Sequence, residues 1–183
     1  MQKPYLFLLF LMPVIAFCLP DSNEEQRQKS VGLFLEATKV FRHPRCLNCH
    51  PGGDRPTQGD DMHQHIMNVQ RGIDDHGAVA MKCQTCHGTS NYAPSNVPGA
   101  PKWALAPRSL AWQGLTDHEL CVLFKDTKRT HMSMEKFIAH NAEDPLVGWG
   151  WNPGRDRAPV PGTQKEFGRL VAEWVATGAA CPN

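Results

Sequence analysis

Two pentapeptides carry the residues most suited to chemistry: Cys46-Leu47-Asn48-Cys49-His50 and Cys83-Gln84-Thr85-Cys86-His87. Both read C-x-x-C-H, the attachment pattern of c-type haem. The spacing has a physical reason. Two thiols three residues apart reach the two vinyl groups on one porphyrin edge, and the residue that follows places an imidazole beneath the iron. Cys46, Cys49, Cys83 and Cys86 are therefore expected to bind two covalently attached haem c groups, with His50 and His87 as proximal ligands. Zinc is one competitor, because two C-x-x-C pairs can supply a tetrahedral thiolate site. A zinc site does not need a His directly after both pairs, however. Disulfides within each pair are the other competitor, since exported cysteines are commonly oxidised.

The sixth iron ligand governs function. Met raises the potential of a haem, His keeps it lower, and an open position permits small-molecule chemistry. His43, His63, His65, His76, His118, His131 and His140 are candidates, with Met62, Met67, Met81, Met132 and Met134 as alternatives. His65 lies in the loop between the motifs, and His140 stands on an expected short helix. Cys121 and Cys181 are left over; a disulfide is the simpler reading, and Cys121 as a thiolate iron ligand is the other. Trp103, Trp149 and Trp151 sit in Gly- and Pro-rich loops, where large aromatics need a surface to cover, either a haem or a loop core. Arg55 and Arg71 match the two-point geometry of haem propionates.

These groups need elements to place them. Helical spacing of Val31, Phe34, Leu35, Thr38 and Phe41 predicts an amphipathic helix over about 22–42, opened by a capping box at Ser22 and Glu25 and closed by Pro44. Thr116 and Glu119 repeat the box before Leu120 and Phe124, and Ser133 caps a short helix reaching about His140. Thr163 opens the clearest helix, with Phe167, Leu170, Val171, Trp174 and Val175 on one face and Gly178 ending it. Strand signals are nearly lacking. Between the helices run long loops over 51–61 and 91–107 that require an organiser, and a haem supplies one.

The chain has 183 residues, enough for one domain or two very small ones, and a formal charge of +1. Nothing in that charge balance suggests nucleic acid. Its first residues read as a secretory leader over 1–18: Lys3, an apolar run from Tyr5 to Leu19 broken by Pro13, then a polar stretch. Cleavage is expected after Ala16 or Cys18, leaving no membrane span in the mature chain; a retained anchor, or lipidation at Cys18, is the alternative. Removing Lys3 with the leader leaves the remainder formally neutral, and propionates would make it acidic.

Several stretches beyond the haem motifs resemble a family of small exported dihaem c-type cytochromes labelled "isoquinoline 1-oxidoreductase subunit". They are His43-Pro44-Arg45-Cys46 through His50-Pro51, Gly53-Asp54-Arg55-Pro56, Arg71-Gly72-Ile73-Asp74, Met81-Lys82-Cys83 through His87, Asp144-Pro145-Leu146-Val147 with Gly148-Trp149-Gly150-Trp151, and Gly178-Ala179-Ala180-Cys181-Pro182. The resemblance implies His65 and His140 as distal ligands. It also implies redox partner proteins, a molybdenum hydroxylase or a respiratory-chain component among them. The expected fold is mainly α, with cytochrome c-like helices and long Gly/Pro-rich loops packed around two haems in a single domain over 19–183. The expected function is single-electron transfer in the periplasm. The alternative is a small dihaem oxidoreductase, acting as a peroxidase or on sulfur compounds, with one open or thiolate-bound iron.

Overall fold

Periodic apolar residues and well-placed caps produce the helices where the sequence puts them. The computed structural model describes residues 22–183, so the leader over 1–18 and Cys18 lie outside the described residues. Helix α1 runs Ser22–Phe41 and buries Phe34, Ala37, Thr38 and Phe41. Ser22 is itself helical, so it is not the cap the sequence suggested. After the short helix α2 (Pro44–Leu47), the chain has two small antiparallel hairpins, β1 (Thr57–Gln58) with β2 (His63–Gln64), and β3 (Gly77–Ala78) with β4 (Met81–Lys82).

Helix α3 (Asp117–Lys125) opens on the expected box. Thr116 Oγ1 accepts from the Glu119 N–H at 3.2 Å, and the Glu119 carboxylate accepts from the Thr116 N–H at 2.8 Å. Asp126 caps α4 (Thr127–Thr130) and Ser133 caps α5 (Met134–Glu143). Asp144 then caps α6 (Pro145–Gly148), and Thr163 caps α7 (Gln164–Ala176). Each such cap satisfies backbone donors that have no partner inside the helix, typically worth ~1 kcal/mol. Gly178, at φ +104°, adopts the left-handed backbone that ends α7, as expected.

The core is aromatic. Phe34 and Trp174 join α1 to α7 with ring centroids 5.0 Å apart, while Phe41 meets Phe124 at 4.5 Å and Phe167 at 5.0 Å. Cys121 and Cys181 form a disulfide, Cα–Cα 5.5 Å, which ties α3 to the chain end beyond α7. The helices therefore make one well-packed lobe. Both C-x-x-C-H motifs lie in the irregular chain between α1 and α3, where helices are few and the backbone turns on short hydrogen-bonded segments. The mainly helical expectation holds. Among the described residues, no helix is long and apolar enough to cross a membrane.

Candidate haem-binding site

The first motif starts on α2. His43 accepts from the Arg45 N–H at the start of the helix, Pro44 fits its first position, and the turn carries Cys46 toward the core. The His50 N–H then donates to the Cys46 carbonyl at 3.2 Å. The second motif makes the same kind of tight turn, with the His87 N–H donating to the Cys83 carbonyl at 3.0 Å. In both motifs the backbone holds the histidine directly beside its cysteines.

A single connecting segment, 98–112, fixes both histidines. His50 Nδ1–H donates to the Leu110 carbonyl at 2.7 Å, and its ring lies flat on Trp112, centroids 3.3 Å apart. His87 Nδ1–H donates to the Pro98 carbonyl, also at 2.7 Å, and its ring stacks on Trp103 at 4.7 Å. A carbonyl on Nδ1 fixes the tautomer and leaves Nε2 as the metal-binding nitrogen. The segment is bound to the first motif by hydrogen bonds from the Ala106 N–H to the Cys49 carbonyl and from the Trp112 N–H to the His50 carbonyl.

The second motif's histidine has another histidine beside it. The His65 and His87 ring centroids are 6.0 Å apart at a 77° interplanar angle. That spacing suits one iron between two rings, allowing roughly 2 Å for each metal–nitrogen bond and about 1 Å from each nitrogen to its ring centre. His65 Nδ1–H donates to the Ile66 carbonyl at 2.8 Å, again leaving Nε2 available. His140 is close enough to His50 to disfavour its protonation. Its own Nδ1–H donates to Asp144 Oδ2 at 3.1 Å. Burial is the main cause that pushes His50 down to about 3, opposed by the Leu110 carbonyl and assisted by His140 and Arg71. His87 is lowered in the same way, with His65 and Arg157 contributing. Neutral imidazole, the form that binds metal, is thus favoured at both motifs.

The loop carrying His65 is held in an unusual conformation. Met62, Met67 and Asn68 have φ of +56°, +63° and +51°, a left-handed geometry that is costly for residues with side chains. The β1–β2 hairpin holds one end of it. Arg55 fixes the next step by donating to the His65 carbonyl at 3.1 Å and to the Gln64 side chain. Such conformations persist where the surroundings impose them.

A cleft of about 470 Å³ opens beside the second motif, lined by Cys83, Cys86, His87, His65, Trp103 and Trp149, with Ile66, Met67 and Met81 adding apolar surface. Cys49 of the first motif lines this same cleft, and Cys49 and Cys83 are near enough for the charge of one to raise the other's pKa. The two motifs therefore approach each other at those cysteines. Arg45 and Arg157 reach the cleft as cations. The Arg45 side chain is only 1% exposed, and its Nε has no hydrogen-bond partner. An apolar wall, two imidazoles and two guanidinium groups are the kinds of group a porphyrin carrying propionates would need.

The arginines expected to meet propionates are engaged elsewhere. Arg71 pairs with Asp75 at 2.8 Å and donates to the Ala106 and Gly53 carbonyls; Arg55 is committed to the His65 loop. Arg45 and Arg157 line the cleft and are engaged too, Arg45 with Asp60 at 2.5 Å and Arg157 with the Asn96 side chain at 2.9 Å. Of the three loop tryptophans, Trp103 and Trp149 line the cleft with rings 4.9 Å apart, whereas Trp151 packs on Phe167 in the helical core. Trp112, which supports His50, was not anticipated. Of the other histidines, His43 caps α2, His63 pairs with Asp61, His76 binds the Asp74 carbonyl and His118 binds that of Pro182, and none of these four lines the cleft.

The thiols of Cys46, Cys49, Cys83 and Cys86 are free, neither bridged in pairs nor to Cys121 or Cys181. Burial raises Cys46 to about 12 and Cys49 to about 11, which disfavours the thiolate a bare metal ion would take. Among the described residues, no three His, Cys, Asp or Glu side chains gather as a zinc site requires. No protein-family description matches this chain, and no curated protein or solved structure is found to resemble it.

Proposed function

We propose that this chain is an exported dihaem c-type cytochrome that carries single electrons between redox partners. Cys46 with Cys49, and Cys83 with Cys86, would hold the two haems through thioethers. His50 with His140, and His87 with His65, would be the axial pairs. When bound, the haems supply reversible one-electron chemistry. The protein's residues would hold the motif imidazoles neutral and correctly turned, back each of them with a tryptophan, and place Arg45 and Arg157 where propionates could be met.

The observation that carries the reading is the shared construction at His50 and His87. In each case Nδ1 is tied to a carbonyl at 2.7 Å and the ring is stacked on a tryptophan; at His87 a second histidine, His65, stands with its ring 6.0 Å away and its own Nδ1 occupied. Two unrelated stretches of chain have no reason to converge on this arrangement unless both bind the same kind of group. The adjoining position of Cys49 and Cys83 favours passage of an electron from one haem to the other. Resemblance to the exported family labelled "isoquinoline 1-oxidoreductase subunit" adds a periplasmic location and redox partners such as a molybdenum hydroxylase or a respiratory-chain component. The oxidoreductase alternative loses its thiolate ligand, because the Cys121 sulfur is bonded to Cys181.

The test is to export the protein in a host with haem-attachment machinery and record its mass, its reduced-minus-oxidised spectrum and its low-temperature spin resonance. The expected result is a mass increased by two haems, paired c-type bands and two low-spin signals of His/His type. A bare polypeptide mass without Soret absorbance would sink the proposal, and a high-spin iron would return it to the enzyme reading.

A further inference from the structure

Arg45 belongs to the first motif by sequence, one residue before Cys46, yet its side chain forms part of the cleft beside the second motif. A run of ring contacts leads from it to His87. The guanidinium carbon stands 5.8 Å from the centre of the Trp149 ring. Trp149 meets Trp103 edge-on at 4.9 Å, and Trp103 stacks on His87 at 4.7 Å. Only two tryptophans separate Arg45 from the second motif's histidine.

The guanidinium is partly used. Its Nη2 donates to the Gly59 carbonyl at 2.7 Å and to Asp60 Oδ1 at 2.5 Å. Asp60 is half exposed, does not line the cleft, and also accepts from the Ala158 N–H at 3.2 Å. Arg45 Nε is buried and has no hydrogen-bond partner among the described residues. Arg55 and Arg71 share an unpartnered Nε, but neither lines the cleft. A buried cation with an unmet donor is unfavourable, and an anionic oxygen entering the cleft relieves it.

The charges of the lining point the same way. Arg45, Lys82 and Arg157 face a single carboxylate there, Asp156. Lys82 pairs with Asp74 at 2.9 Å, whereas Arg157 donates to neutral groups, among them the side chain and carbonyl of Asn96. An apolar cleft with cations in its wall suits a flat apolar ligand that bears carboxylates.

We infer that Arg45 is the carboxylate anchor of the second centre: its Nε–H receives a propionate of the haem held by Cys83 and Cys86, so that a residue of the first motif completes the site of the second. The inference rests on the dihaem reading above. A cation beside a haem opposes the added positive charge of ferric iron and raises the reduction potential. Arg45 thereby sets the potential of a centre to which its own motif is not attached.

The test is a potentiometric titration, with resonance Raman spectra, of the holoprotein and of Arg45→Gln, Asp60→Asn and His65→Met. Met in place of His65 raises one wave and so identifies the second centre. Arg45→Gln should lower that same wave by about tenfold in the ferric/ferrous equilibrium, 59 mV for one electron, and shift the propionate bending band. Asp60→Asn removes an anion from Arg45 while leaving an oxygen for the Ala158 N–H, so it should raise the wave. A merely structural role for Arg45 would lower the melting temperature and leave the potential and the band in place, which overturns the inference. So does a shift confined to the other wave, because Arg45 would then serve its own motif. If Arg45→Gln does not fold, Asp60→Asn decides: an upward shift of the second wave supports the anchor, and an unmoved wave overturns it. Failure of the dihaem reading looks different, because the unmodified protein would then show no haem waves at all.

Discussion

At the scale of single residues, the side chains that hold ligands matter as much as the ligands. His65 sits in a loop whose backbone is left-handed at three side-chain-bearing positions, and Arg55 is the residue that fixes its carbonyl. Charged hydrogen bonds of this kind contribute about 1.5–3 kcal/mol. Arg55→Ala should lower the stability of the holoprotein by that amount in chemical denaturation. It should also broaden the spin-resonance signal of the His87–His65 centre while leaving the His50–His140 signal unchanged. Arg55→Lys should recover part of the stability but not the narrow signal, since an ammonium does not reproduce the fork that grips both Gln64 and His65. An unchanged signal in Arg55→Ala would show that the loop holds His65 without help.

At the scale of elements, the helices were legible and the path of the chain between α1 and α3 was not. Thr116, Ser133 and Thr163 announce α3, α5 and α7 because capping is local chemistry written in adjacent residues. The motif cysteines and histidines were legible for the same reason. The approach of His65 to His87 rests on long-range placement by the 98–112 segment and the β1–β2 hairpin, which no local pattern encodes. Arg45 and Trp112 escaped notice likewise, being marked only by what they touch. Packing between α5 and α7 offers a test of how such placement is transmitted. Alanine in the middle of a helix is ordinarily favoured over glycine by about 0.5–1 kcal/mol. At Gly168 the sign should reverse, because a Cβ there would meet the Ala142 side chain and come within 2.6 Å of its Cα. Gly168→Ala should destabilise by about 1–3 kcal/mol, as overpacked cores do. A stabilised variant in chemical denaturation would refute the close helix contact.

At the scale of the whole molecule, the chain divides its labour between a helical lobe held by aromatic packing and an irregular stretch organised around the two motifs. The Cys121–Cys181 disulfide belongs to the helical lobe, closing a separation of 60 residues between α3 and the chain end. Closing a loop of that length restricts the unfolded chain by about 3–4 kcal/mol. Replacing both cysteines with alanine should therefore lower the melting temperature by about 10 °C for a chain of this size. Neither cysteine approaches the motif histidines through any contact in the structure described, so both haem waves and both low-spin signals should survive the double substitution. The experiment also separates the two functions weighed from the outset. In an electron carrier with two His/His irons the bridge is only a staple, and its loss changes stability alone. In an oxidoreductase that used a Cys121 thiolate, the same substitution would remove an iron ligand, and one low-spin signal would vanish.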